Sequence, residues 1–190
     1  MFATEILRKE HDAILKMLDA LGQTSQQLLG GASVDPSTLQ GLLEFFQLFA
    51  DRCHHGKEED LLFPLLERRG IPRDGGPIGV MLFEHDRGRE LIREMGVAAS
   101  EYEKEPQAAG KRWAEAAREY SQLLREHIMK ENNILFRMAE QILSPDEQTT
   151  LAADFEKAEI DKMGAGTHER LHARMGQLLA EIIKTSAAVR

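Results

Sequence analysis

The feature that most limits how this 190-residue chain can fold is an internal repeat. His54-His55-Gly56-Lys57-Glu58-Glu59-Asp60-Leu61-Leu62-Phe63 lines up with His127-Ile128-Met129-Lys130-Glu131-Asn132-Asn133-Ile134-Leu135-Phe136, sharing the pattern H-x-x-K-E-x-x-x-L-F. At nearly the same offset, Glu10-His11-Asp12 lines up with Glu84-His85-Asp86. The order is the same in both halves, so the chain reads as a duplicated helical pair whose copies are related by a pseudo-twofold axis.

Apolar residues recur at steps of three and four almost throughout, without the alternation of a strand, so the expected class is all-α. A first helix is expected from about Thr4 to Leu29, ended by Gly30-Gly31. A second starts after Asp35-Pro36 and runs to about Arg69, with a kink or an early end at Pro64, which lacks an N–H and crowds the carbonyl four residues back. A third opens near Gly76-Pro77 and continues to about Glu105, and a fourth runs from about Gln107 to Leu143. Short connections predict an antiparallel up-down four-helix bundle over 1–143. The extension, 144–190, is expected to add one or two helices, with Gly164-Ala165-Gly166 as the candidate break. Its apolar stripe (Leu171, Met175, Leu178, Ile182) is expected to dock on the bundle.

The repeated polar residues fall on the stripes that should face the core. His11 lies with Leu7, Ile14, Leu18 and Leu21, and His85 lies with Ile78, Met81, Ile92 and Met95. The second helix presents Phe46, Ala50, His54, Glu58, Leu61 and Leu65, and the fourth presents Leu124, His127, Glu131, Leu135, Met138 and Ile142. A carboxylate left unpaired in an apolar core costs several kcal/mol or changes its protonation state, and here there is one in each half. No Lys or Arg shares these stripes at the level of Glu58 and Glu131. Bound dications resolve the conflict, because neutral imidazoles and ionised carboxylates become ligands. His54 with Glu58, and His127 with Glu131, are neighbours four apart on one helix face.

The expected metal ligands are therefore His11, His54, Glu58, His85, His127 and Glu131, giving each of two ions two histidines and a share in two bridging glutamates. A solvent-derived oxo or hydroxo bridge would add a further shared ligand and leave one position per ion open. Mixed imidazole and carboxylate ligation suits iron, our choice, and also manganese or zinc. A single core histidine is more often a hydrogen-bonded packing residue than a ligand. One HxxxE pair is often a surface pair, but two in register with two matching EH motifs are hard to explain as packing.

Other candidates carry less. His55 and Glu59 form a second HxxxE pair turned about 100° from the first, but the repeat has Ile128 and Asn132 there, so they are expected as outer or surface groups. His168 and His172 fit an exposed helix, Cys53 a small buried core residue, and Tyr120 either the core or the lining of an access route. Glu10, Glu84, Asp12 and Asp86 are candidate acceptors for the second ring nitrogens of the ligating histidines.

A formal net charge of -8 argues against nucleic acid as a partner, since such binding depends on cations neutralising phosphates. No apolar run approaches a membrane span, and the first residues lack signal-peptide order. With one cysteine, Cys53, the expected compartment is cytoplasmic. Monomer and dimer both remain open.

The segments HHGKEEDLLFP and HIMKENNILF, joined to KEH near the start and GPIGVMLFEHD in the third helix, resemble the hemerythrin HHE cation-binding family over about Thr4 to Leu143. The tail FEKAEIDKMGAGTHERLHARM is similar to the extension of its bacterial members. The resemblance implies a four-helix bundle around a carboxylate-bridged non-haem di-iron site, with the same six residues as ligands. The oxygen-carrying hemerythrins have an HxxxH pair on the third helix, whereas Met81 and Arg89 stand four residues from His85 here. The four-His, two-Glu set and the E-N-N-x-L-F segment are more similar to the repair-of-iron-centres proteins. The implied activity is binding or reacting with O2, NO or peroxide, in iron-centre repair or in oxidative and nitrosative stress. An enzyme proper is one form of it, and a non-enzymatic iron or oxygen sensor or an oxygen-binding storage protein is the alternative.

Overall fold

The computed structural model describes residues 1–164 and 166–188, excluding the side chains of 163, 168, 169, 172, 183 and 185–188. His168 and His172, and Ala165 at the expected break, therefore lie outside the described residues. All described secondary structure is helical. The first rod is α1 (Ala3–Leu29). The second comprises α2 (Pro36–Phe45), two wide π-helical segments, π1 (Phe46–His55) and π2 (Glu58–Leu62), and α3 (Phe63–Arg68). The third is α4 (Pro77–Glu101); the fourth is α5 (Pro106–Lys130), π3 (Glu131–Leu135) and α6 (Phe136–Ile142). Then come α7 (Pro145–Met163) and α8 (Thr167–Ala188).

Local chemistry sets the ends. Asp35 accepts from the Ser37 N–H at 2.8 Å to cap α2, with Pro36 just inside. At the start of α7, Ser144 and Glu147 satisfy each other's backbone N–H groups. The third helix ends at Glu101, four residues before the expected Glu105. Pro106 opens the next helix and disfavours helical backbone in the residue before it. The Tyr102 hydroxyl, released from the helix, accepts from the Val34 N–H at 3.1 Å and ties two loops together. Gly164, with φ +82°, ends α7.

Rods one and four, three and four, and two and three pack side by side, closing an antiparallel bundle. Helices α7 and α8 pack chiefly along the first and second rods. Leu171, Leu178 and Ile182 are buried there, with Met175 packed beside them, while Leu151 and Phe155 seal the other end. Two apolar clusters result. One contains Ile14, Leu42, Ile92 and Trp113, the other Leu7, Phe63, Ile78 and Phe136, and the repeated polar residues form the layer between them.

Pro64 does not end the second rod, which corrects one of the two expected outcomes, the early end. Phe63 N–H reaches back five residues to the Glu58 carbonyl, so the proline falls in the first turn of α3, where a missing N–H costs little. The fourth rod makes the same wide turn, Phe136 N–H to Glu131 carbonyl, with Arg137 in place of the proline. The wide turn therefore belongs to the repeated motif and not to the proline. It also shifts the buried stripe by one residue. Leu62, Phe63 and Leu66 are fully buried instead of Leu61 and Leu65, and Phe136 and Ala139 replace Met138 and Ile142, the last 38% exposed.

Candidate metal centre

The four rods bring all six predicted residues into one layer, each at most 1% exposed. Within this layer, two groups of described residues have ligand atoms within 4.8 Å of one another: His11, His54, Glu58 and Glu131, and His55, Glu58, His85 and His127. The carboxylates join them. Glu58 places Oε1 3.5 Å from His54 Nε2 and Oε2 3.6 Å from His85 Nε2. Glu131 Oε2 lies 3.1 Å from His11 Nε2 and 3.2 Å from His127 Nε2.

Each of the four histidines donates its Nδ1–H outward to a side-chain oxygen. His54 donates to Glu10 (2.8 Å), His127 to Glu84 (3.0 Å), His85 to Glu59 (2.6 Å) and His11 to Asn132 Oδ1 (3.0 Å). The proton is thereby fixed on Nδ1, and Nε2 is left facing the centre. The pattern follows the repeat. Glu10 and Glu84 are equivalent, as are Glu59 and Asn132, and each holds a histidine on a different rod. Of the acceptors left open by the sequence, Glu10 and Glu84 serve; Asp12 and Asp86 are exposed, Asp86 pairing with Arg89. Lys57 and Lys130 donate to Glu10 and Glu84 respectively, so these cations balance the outer carboxylates, and the inner ones face imidazoles.

The electrostatics are those of a site built for added positive charge. Burial, and then the charge of Glu131, push the Glu58 carboxyl well above its ordinary range. Burial also pushes Glu131 upward, but His127 and His11 outweigh it and hold that carboxyl well below the usual range. Burial depresses His54 to about 3. Burial likewise opposes the charged form of His127, yet the Glu131 carboxylate overcomes it and raises the imidazole to about 9. Even so, His11 Nε2, His54 Nε2 and both oxygens of Glu58 and Glu131 remain buried without a hydrogen bond. Groups this deep are normally satisfied, and imidazole nitrogen with carboxylate oxygen is the donor set of a divalent transition metal. The residues fit a pair of cations.

His55 departs from its expected place. It is 3% exposed, it stacks on His85 with ring centroids 3.9 Å apart, and both its ring nitrogens lack hydrogen bonds. The repeat hid it, because Ile128 stands at the equivalent position; the HH dipeptide on a wide helical turn was the available signal. Glu59, paired with it in the sequence, is the outer support of His85 and accepts also from Arg89. Cys53 and Tyr120 are both buried. The Cys53 thiol is pushed up to about 12 by burial, and the Tyr120 hydroxyl packs in the large apolar cluster without a partner.

Comparison with known proteins agrees with this geometry. The hemerythrin HHE cation binding domain matches residues 3–139. The chain is similar to the iron-sulfur cluster repair protein YtfE of Escherichia coli O81 (strain ED1a), 33% identical over 108 residues covering 55% of this chain and 49% of that protein. It is also similar to YtfE of Escherichia fergusonii (strain ATCC 35469), 32% identical with the same coverage. The match spans about half the length of these curated relatives.

Proposed function

The chain belongs to the hemerythrin HHE cation-binding family, and from that premise we propose that it holds two iron ions and binds or reacts with O2, NO or peroxide, in the repair of iron centres or in oxidative and nitrosative stress. The proposed ligands are His11, His54, Glu58, His85, His127 and Glu131, with Glu58 and Glu131 shared between the ions. The carrying observation is the set of buried nitrogen and oxygen atoms that converge on one layer and lack hydrogen bonds. When bound, iron supplies the Lewis acidity and redox chemistry that these side chains lack. Iron is favoured by the donor set and by what the relatives' name says they act on.

The protein's own residues do the rest. Glu10, Glu59, Glu84 and Asn132 hold the four imidazoles in one tautomer and orientation. The apolar clusters above and below the layer exclude bulk water, which strengthens every charge interaction within it. The reading is tested by metal analysis of the protein as isolated, with optical spectra before and after each gas. Two irons per chain and a gas-dependent spectrum are expected; absence of iron, or a spectrum no gas alters, overturns it.

One contact favours a second reading, in which loading is reported to a partner. Glu159 on α7 accepts from Lys57 at 2.7 Å, Lys57 donates to Glu10 at 2.5 Å, and Glu10 holds His54. The centre is thus wired to the C-terminal helices. Partner binding that persists after complete metal removal would exclude this version.

A further inference from the structure

We propose that His55 is a fifth histidine donor, serving the His85/His127 half of the centre only, so that the two metal positions are unequal. This rests on the reading that the layer holds two ions. Position is the first argument: a ring nitrogen of His55 lies within the same 4.8 Å group as ligand atoms of Glu58, His85 and His127. Chemistry is the second. The ring is buried and its nitrogens are unsatisfied, a costly state for an imidazole with no polar role. Orientation is the third. His55 Nδ1 faces Asp51 Oδ1 at 3.5 Å, repeating in looser form the imidazole–carboxylate pairing of the other histidines.

The support around His55 is built on one side only. Asp51 Oδ1 accepts from Arg89 at 2.8 Å, and Arg89 also donates to Glu59, which holds His85. Carried along the repeat, Asp51, His55 and Arg89 correspond to Leu124, Ile128 and Leu15. Ile128 is buried in the large apolar cluster, so the His11/His54 half has nothing to offer at this place. His55 and His85 are stacked with 14° between their planes. An imidazole lone pair lies in its ring plane, so one ring must turn for both to reach a single ion; the 3.5 Å contact to Asp51 is loose enough to let His55 be the one.

The test loads metal-free protein with Co2+ and reads two signals besides activity. In proton NMR spectra recorded in H2O, each histidine bound to paramagnetic Co2+ contributes one strongly shifted exchangeable ring N–H. Five are expected for the native chain and four for His55→Phe, which keeps the stacked ring but offers no donor. In competition with a chelator, two unequal binding steps are expected. The tighter one should weaken at least tenfold in His55→Phe and in His55→Ile, the residue of the other repeat, and the weaker should change less than twofold. Four signals in the native chain, or equal weakening of both steps, overturns the proposal and leaves the two-metal reading intact. Failure of native protein to take up Co2+ overturns both.

Discussion

Replacing Glu58 by Met should have opposite effects on the metal-free and the metal-loaded protein. Glu58 is 0% exposed, its oxygens make no hydrogen bond, and the nearest imidazole nitrogens are 3.5 and 3.6 Å away. A buried polar group without partners costs about 1–3 kcal/mol, and exchanging a buried ionic group for an apolar side chain of similar volume often stabilises by about 1–4 kcal/mol. The metal-free Glu58→Met variant should therefore be more stable by about 2 kcal/mol. At roughly 2–4 °C per kcal/mol for a chain of this size, that raises Tm by about 4–8 °C. With metal present the order should invert. Ligand at about a thousand times its Kd stabilises the native protein by about 4 kcal/mol, and a variant lacking the shared carboxylate forgoes most of this. Thermal melts in chelator and in excess Fe2+ or Co2+ measure both arms. A metal-free Glu58→Met protein that melts below the native one would refute the reasoning, since the carboxylate would then be satisfied without a cation. Glu131→Met is the internal control. Its carboxylate lies 3.1 and 3.2 Å from His11 and His127 and is held ionised by their charge, so its loss removes a favourable charge interaction and should give no gain in chelator.

Metal uptake at pH 7 should release on the order of one proton per chain or more, because ligation requires bare imidazole and ionised carboxylate. His127, raised to about 9, carries a proton at that pH, and burial of Glu58 pushes its carboxyl in the same direction; affinity should accordingly climb as pH rises toward 9. Calorimetry in buffers of different ionisation enthalpy measures the release, and net proton uptake would contradict it. Glu84→Gln should weaken metal binding by about 10–100-fold, because the neutral amide holds the His127 N–H less strongly and leaves Lys130 unpaired. Chelator competition reads this, and a change under twofold counts against the assigned support. Phe155→Ala should cost about 3 kcal/mol or more, since the ring is 1% exposed between α7 and the bundle. Melting and the rate of proteolysis within α7 check it, and an unchanged melt would show that the extension contributes nothing to the core.

The sequence disclosed the rods and the six inward polar residues because both depend on local spacing. His11 and His85 sit on apolar stripes of period three and four, and those stripes face inward whatever the neighbouring rods do. What it concealed depends on the third dimension or on a departure from ideal helix. The wide turns after Glu58 and Glu131 insert a residue into the count, so an even α-helical period chose Leu61 and Leu65 where Leu62 and Phe63 are buried. His55 ends a separate wide segment, π1, and lies in the layer beside His54, although two adjacent residues on an α-helix point about 100° apart. Which acidic residue holds which histidine was also hidden, because every such pair joins different rods: Glu10 to His54, Glu84 to His127, Glu59 to His85.

Duplication alone would make the two halves of the centre equal, and the extension breaks that equality. Helices α7 and α8 make their main contacts with the first and second rods. Lys57, on the covered side, is 3% exposed and is held between Glu10 and Glu159, whereas its equivalent Lys130 is 31% exposed and pairs with Glu84 alone. An exposed charge pair is screened and exchanges readily with water, while a buried one is held by the full cost of uncovering it. His127 and His85 thus reach solvent through one carboxylate each, the partly exposed Glu84 and Glu59, while His54 reaches it only through buried Glu10, buried Lys57 and then the partly exposed Glu159. Protons leaving the layer on metal uptake therefore have their shortest path on the side of α4 and α5. Releasing α7 should open a second path through Lys57 without disturbing the first.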